Sequence, residues 1–125
     1  MVEANPESYK ILVSNIDKTF SEGQYEILNK AAWRNADALT FSTTGDSMGN
    51  KVSPDGDIEV SGITFAEIVK EASKNRDSID LMKIDIEGAE EAFFETADAE
   101  LGKVKRLVIE LHPESCDTQA IRKKL

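Results

Sequence analysis

The chain has 125 residues, 24 acidic against 15 basic groups and a formal net charge of −9, with a sequence pI near 4.6. At 40% hydrophobic and 31% charged residues it reads as one globular domain able to bury roughly two thirds of its unfolded surface. No apolar run reaches the ~18 residues of a membrane span, and the acid excess argues against nucleic acid or an anionic membrane as a partner.

The first residues, Met1 to Glu7, lack the basic and apolar regions of a secretory signal, so a cytoplasmic protein is expected. A single cysteine, Cys116, allows no internal disulfide, and a single histidine, His112, allows no His-pair metal motif. The first element is a helix: Asn5 caps it, Pro6 takes its first position, and Tyr9, Leu12, Val13, Ile16 and Phe20 form one apolar stripe. Residues 25–33 read as a strand ending in Ala31-Ala32. A turn over 34–37 leads to a half-exposed strand carrying Leu39 and Phe41. Residues 43–56, rich in Gly, Ser, Asp and Asn, read as a loop, and Ile58 and Val60 as a short extended piece.

Thr64-Phe65-Ala66-Glu67 has the form of a capping box opening a helix that turns Phe65, Ile68, Val69 and Ala72 inward and ends near Lys74. Residues 79–86 read as a strand broken by Glu87-Gly88. A helix with Ala89, Phe93, Phe94, Ala97 and Leu101 comes next, stopped by Gly102. Residues 104–111 form a strand that His112-Pro113 ends, since proline cannot continue a ladder. A last helix starts at Asp117 or Thr118, with Ile121 and Leu125 inward. Strands alternating with helices predict an α/β fold with a parallel sheet.

Ligands of open α/β sheets bind beyond the carboxyl ends of the strands, which directs attention to Lys83-Ile84-Asp85-Ile86-Glu87-Gly88-Ala89-Glu90 and to Glu110-Leu111-His112-Pro113. Lys83, Asp85 and Glu87 alternate, so on a strand they share one face. Three charges there are costly to bury and suit a cleft, while Gly88 permits a tight turn and close approach of a ligand. Asp85, Glu87, Glu90 and Glu91 are spaced as a strand end and a helix start rather than as a calcium loop, and no metal site is expected.

The segment from Ile79 to Glu90 resembles the "DLLKIDVEGAE" signature of the FkbM-type S-adenosylmethionine-dependent methyltransferases. Glu3-Ala4-Asn5-Pro6, with Leu12 and Asn15, is similar to that family's "EPNP…L…N" segment, and residues 29–33 to its "NAAV" strand end. Residues 60–68 resemble its "V…TLDDL" segment and residues 108–113 its "ILIEIHP" strand, so the matches run in family order across nearly the whole chain. The family's glycine-rich "DVGANIG" loop precedes the segment at Glu3 and is not matched. Glycines 23, 45, 49, 56, 62, 88 and 102 form no Gly-x-Gly. The resemblance therefore implies that residues 1–125 are a truncated domain: an incomplete class I methyltransferase, a Rossmann-like three-layer sandwich with a mostly parallel sheet and an added hairpin.

It further implies S-adenosylmethionine as cofactor. Glu3 would accept from the ribose hydroxyls, Asn5 belongs to the same cofactor-binding segment, and Ala32 and Trp33 would border the adenine. Asp85 would orient an acceptor hydroxyl or take its proton, and His112 would serve as general base. Each has a structural alternative: Glu3 as a solvated terminal carboxylate, Trp33 as core or rim, Asp85 as a carboxylate at a helix start, and His112 as a support before proline. Lys83 is expected to pair with Asp85 or Glu110, and Glu87 and Glu90 to serve a helix start. The implied acceptor of the complete domain is a small molecule, a hydroxyl of a sugar or secondary metabolite, and this chain alone is expected to be inactive. The alternative is a non-catalytic fragment or an α/β interaction module that has lost cofactor binding. Without a central partner strand, residues 79–86 are expected to pair with 25–33, with 39–41, or with a second chain through the exposed edge.

Overall fold

The computed structural model describes residues 1–42, 51–52, 56–74 and 76–125. The order of elements is β1 (Val2–Glu3), α1 (Pro6–Ile16), β2 (Leu28–Asn29), β3 (Ala31–Ala32), β4 (Ala38–Ser42), β5 (Lys51–Val52), β6 (Ile58–Ile63), α2 (Phe65–Ala72), β7 (Met82–Ile84), α3 (Glu90–Phe94), β8 (Leu107–Ile109) and α4 (Thr118–Lys124). The architecture is mixed α/β. Its contacts divide into two compact units, residues 1–31 with 37–62 and residues 32–36 with 63–125.

In the first unit β1 and β2 pair in parallel, Val2 beside Leu28 and Glu3 beside Asn29. The Asn29 amide clasps the pair by donating to the carbonyls of Glu3 and Ala4 at 2.9 and 3.0 Å. Asn5 caps α1 as its type predicts, accepting from the N–H groups of Glu7 and Ser8 at 2.8 and 3.2 Å. The helix stops at Ile16, a turn before Phe20, because polar Asp17, Lys18 and Thr19 come next and the chain tightens there. The N–H groups of both Thr19 and Phe20 donate to the Ile16 carbonyl, and Phe20 is left exposed. The expected strand over 25–33 is two short strands, β2 and β3. The four-stranded sheet has the order β3–β6–β4–β5, with β4 antiparallel to both neighbours. Its small core is Ala31 and Val60 with Ala4, Leu39 and Ile58 against them. The loop expected over 43–56 lies mostly outside the described residues, and Lys51–Val52 within it forms β5.

The second unit holds the larger core: Phe65, Val69, Ile84, Phe93, Phe94, Ala97 and Ile121. Phe65, Phe93 and Phe94 meet with ring centroids 5.5 to 5.8 Å apart, in the tilted and edge-on geometries aromatic rings prefer. The capping box at Thr64 forms in full, Glu67 N–H to Thr64 Oγ1 at 3.2 Å and Thr64 N–H to Glu67 Oε2 at 2.9 Å. Strand β7 pairs in parallel with β8, and Ile79 with Val104 makes a separate bridge. The pairing of residues 79–86 with 25–33 or 39–41 does not occur among the described residues: β2 is taken by β1, β4 by β5 and β6, and β7 by β8. Asp117 caps α4. Ile121 is buried, while Leu125, expected inward, is exposed at the helix end.

Candidate functional site

In the second unit the parallel register Met82 to Leu107, Lys83 to Val108 and Ile84 to Ile109 brings the carboxyl ends of β7 and β8 out side by side. Glu110 N–H donates to the Ile84 carbonyl at 3.0 Å, extending the ladder to the point where both strands end. Beyond β7 the chain reverses sharply. Glu87 has φ 49° and Gly88 φ 93°, the left-handed region that glycine enters freely and glutamate rarely. A Cβ at Gly88 would stand 2.5 Å from Ser115 Cβ, so the turn after β7 packs directly against the segment after β8. That segment is itself tight: the His112 carbonyl accepts from the N–H groups of Ser115 and Cys116 and from the Cys116 thiol at 3.3 Å.

The reversal folds Glu90 back under the strand ends. Glu90 is wholly buried, and its Oε1 lies 2.8 Å from His112 Nδ1 and accepts from Gly88 N–H at 3.1 Å. Its Oε2 finds no hydrogen-bond partner. A carboxylate acceptor at Nδ1 assigns the proton of a neutral imidazole to that nitrogen and leaves a lone pair on Nε2. Nε2 faces Glu87 Oε2 at 3.3 Å. Single ligand atoms of Asp85, Glu87 and His112 all lie within 4.8 Å of one another. Lys83 donates to Asp85 Oδ2 at 2.7 Å, the first of the two pairings expected of it.

The electrostatics arise from this crowd of acids. His112 is held above its ordinary 6.5, first by the hydrogen bond to Glu90 against the opposing effect of burial, then by the charges of Glu90, Glu87 and Glu110. Burial pushes the Cys116 thiol up, and the Glu90 carboxylate adds to it, so the thiol stays protonated and unreactive. Lys83 is held charged above its usual range by Asp85 and, more weakly, Glu110.

The structure thus brings Asp85 and His112 together. Glu90, expected to serve only a helix start, is the buried partner of His112. Its signal was faint in the sequence, since 22 positions separate the two residues. Only the parallel pairing of β7 with β8 puts both at one edge.

The residues implied for the cofactor divide between the units. Glu3 and Asn5 lie in the first. Glu3 Oε1 accepts from Asn5 N–H at 2.8 Å, which leaves its second oxygen for a hydroxyl. The Asn5 side-chain oxygen is already spent on two helix N–H groups. Ala32 and Trp33 lie in the second unit, both half-buried. The Arg34 guanidinium stands 5.4 Å from the centre of the Trp33 ring, so one face of the indole meets a cation. In the first unit Glu3 thus offers a carboxylate oxygen, and in the second Trp33 offers a half-buried indole. Asn5 contributes as a cap and not through its side-chain oxygen.

The fold and the strand-end cluster are those of a mixed α/β protein, consistent with a methyltransferase-like fold. The model of the methyltransferase FkbM domain matches residues 1–125, and the chain belongs to that family. No curated protein and no solved structure matches it. Among the described residues no helix is long and apolar enough to cross a membrane.

Proposed function

We propose that the chain is part of an S-adenosylmethionine-dependent methyltransferase domain, Rossmann-like in its layering, which when complete methylates a hydroxyl of a sugar or secondary metabolite. The family supports methyl transfer; the hydroxyl acceptor rests on the site. The observation that carries it is the meeting of Asp85, Glu87 and His112 beyond the paired ends of β7 and β8, with the imidazole held from behind by a buried carboxylate. S-adenosylmethionine, when bound, supplies an electrophilic methyl group.

The chain's part is to align a hydroxyl for in-line displacement and remove its proton. His112 takes that proton at Nε2, and the imidazolium so formed is stabilised by Glu90 at Nδ1. Asp85, paired with Lys83, accepts a hydrogen bond and orients the acceptor. In the second unit Ala32 and Trp33 would border an adenine; Glu3, in the first, is of the type that accepts from a ribose diol. A cytoplasmic location fits this small-molecule chemistry.

A second reading is favoured by one observation: none of the seven glycines forms a Gly-x-Gly, the pattern that lets backbone approach a nucleotide closely. On that reading the chain is an interaction module that binds no methyl donor. Calorimetry with S-adenosylmethionine on the domain completed with its glycine-rich segment, paired with transfer of labelled methyl from it to a panel of sugars and hydroxylated metabolites, separates the two. Binding that Trp33→Ala weakens, with transfer that His112→Gln abolishes, is expected. Absence of both from the completed wild-type domain would leave the second reading.

A further inference from the structure

We infer that Asp85, Glu87 and His112 together bind one divalent metal ion of the zinc class at the carboxyl ends of β7 and β8. Spacing in the sequence argues against an ion there because it sees only carboxylates; the fold adds an imidazole from 25 residues away. The donor set becomes two carboxylates and one nitrogen, a combination that suits borderline first-row ions rather than calcium.

The distances fit. Two ligand atoms each about 2.1 Å from a tetrahedral ion lie about 3.4 Å apart, and His112 Nε2 to Glu87 Oε2 is 3.3 Å. The Asp85 ligand atom lies within 4.8 Å of both. Its carboxylate is exposed, so it would complete the set by turning from Lys83, which it meets at 2.7 Å. The imidazole is already oriented: Glu90 engages Nδ1 at 2.8 Å, the carboxylate–histidine arrangement that fixes the ligating nitrogen in metal sites.

Glu90 is 0% exposed, and its burial is offset by the imidazole 2.8 Å away, so its part in the site is to hold His112 with Nε2 outward. Glu87, Glu90 and Glu110 act on the imidazole, and Asp85, which Lys83 meets at 2.7 Å, lies within 4.8 Å of it, so negative charge gathers at the strand ends. Lys83 is 61% exposed and Asp85 keeps a second oxygen, so an ion meets little resistance there. Three protein ligands leave a coordination position open to solvent.

The ion uses the Nε2 lone pair that proton removal uses, so the metal-loaded and base-ready states exclude each other. The inference stands on the geometry of the cluster and is tested without methyl donor or acceptor. Titration of the whole chain with Zn²⁺ by calorimetry should give one ion per chain, and Co²⁺ should report tetrahedral nitrogen and oxygen ligation by its visible absorption. Asp85→Asn and Glu87→Gln, both at solvent-reachable positions, should each weaken Zn²⁺ at least about tenfold, and Cys116→Ser should leave it unchanged. Wild-type affinity weaker than about 0.1 mM, wild-type binding by both carboxylate variants, or loss of the site in Cys116→Ser would each overturn the assignment.

Discussion

At Gly88 the backbone and a neighbouring side chain make the same demand. Its φ of 93° is hostile to any side chain, and a Cβ would stand 2.5 Å from Ser115 Cβ and 2.9 Å from Ser115 Oγ. Gly88→Ala should therefore cost about 2–4 kcal/mol, read from urea denaturation, and should loosen the Glu90–His112 contact that the turn supports. An alanine variant as stable as wild type would show that this reversal is not under the constraint described. His112 gives a pH signature with a definite sign. Its folded value is raised above 6.5, so the stability it contributes is complete below that value and is lost as pH rises through the folded one. Glu90→Gln removes the main cause. The melting temperature of wild type over Glu90→Gln should be highest in mild acid and should narrow toward alkaline pH. Under the methyl-transfer reading the same variant moves the acidic limb of the rate profile to lower pH, because the base is freed of its proton sooner. A parallel loss at every pH would make Glu90 a support for packing alone.

At the scale of elements, ends were more legible than lengths. Thr64, Asn5 and Asp117 each sit where a hydroxyl, amide or carboxylate must meet orphan N–H groups, and each does. Thr64→Ala should cost about 1 kcal/mol by thermal or chemical unfolding; no measurable loss would mean the box is redundant with the packing of Phe65. Helix α3 was expected to run from Ala89 to Leu101 and covers Glu90–Phe94. Phe93, Phe94 and Ala97 are buried together although the α-helix ends at Phe94. The chain continues with three-residue hydrogen bonds, Glu95 N–H to Ala92 and Ala97 N–H to Phe94, and then a 3₁₀ turn at Leu101–Lys103. Phe94→Ala, which opens the ring cluster, should destabilise by about 3–5 kcal/mol. A loss below about 1 kcal/mol would mean that Phe65 and Phe93 close over the gap.

At the scale of the whole molecule the two units differ in how much apolar surface they bury. Among the described residues the second has seven buried residues in one core, the first two, and α1 has no fully buried side chain. Local stability tracks burial. Amide hydrogen exchange should accordingly be slowest in Met82–Ile84 and Leu107–Ile109 and fast through Pro6–Ile16. If α1 exchanged as slowly as β8, the distribution of stability inferred from the cores would be wrong. Val108 and Leu81 remain 53% and 58% exposed, at and beside the paired strands. The expected self-association through residues 79–86 is thus a concentration-dependent question for sedimentation, with a monomer at all concentrations as the result against it.

The sequence by itself determined what depends on neighbours along the chain: the caps at Asn5 and Thr64, a last helix start at Asp117 or Thr118, the break at Glu87-Gly88, the stop at His112-Pro113, and the family through the residues around Asp85. Cap chemistry, glycine's access to positive φ and proline's missing N–H act within a few residues, so they survive in a one-dimensional reading. The tertiary structure alone decided the rest. Residues 79–86 take the strand of their own strand–helix–strand unit, and the additional pairing expected with 25–33 or 39–41 does not form, because pairing is a competition among distant segments. Glu90 was read as a helix-start acid because only the β7–β8 register sets it beneath His112, and Asp85, Glu87 and His112 share one small volume for the same reason. A burial that depends on a contact 22 residues away has no local signature, and it is that burial which turns a run of surface-like acids into a site.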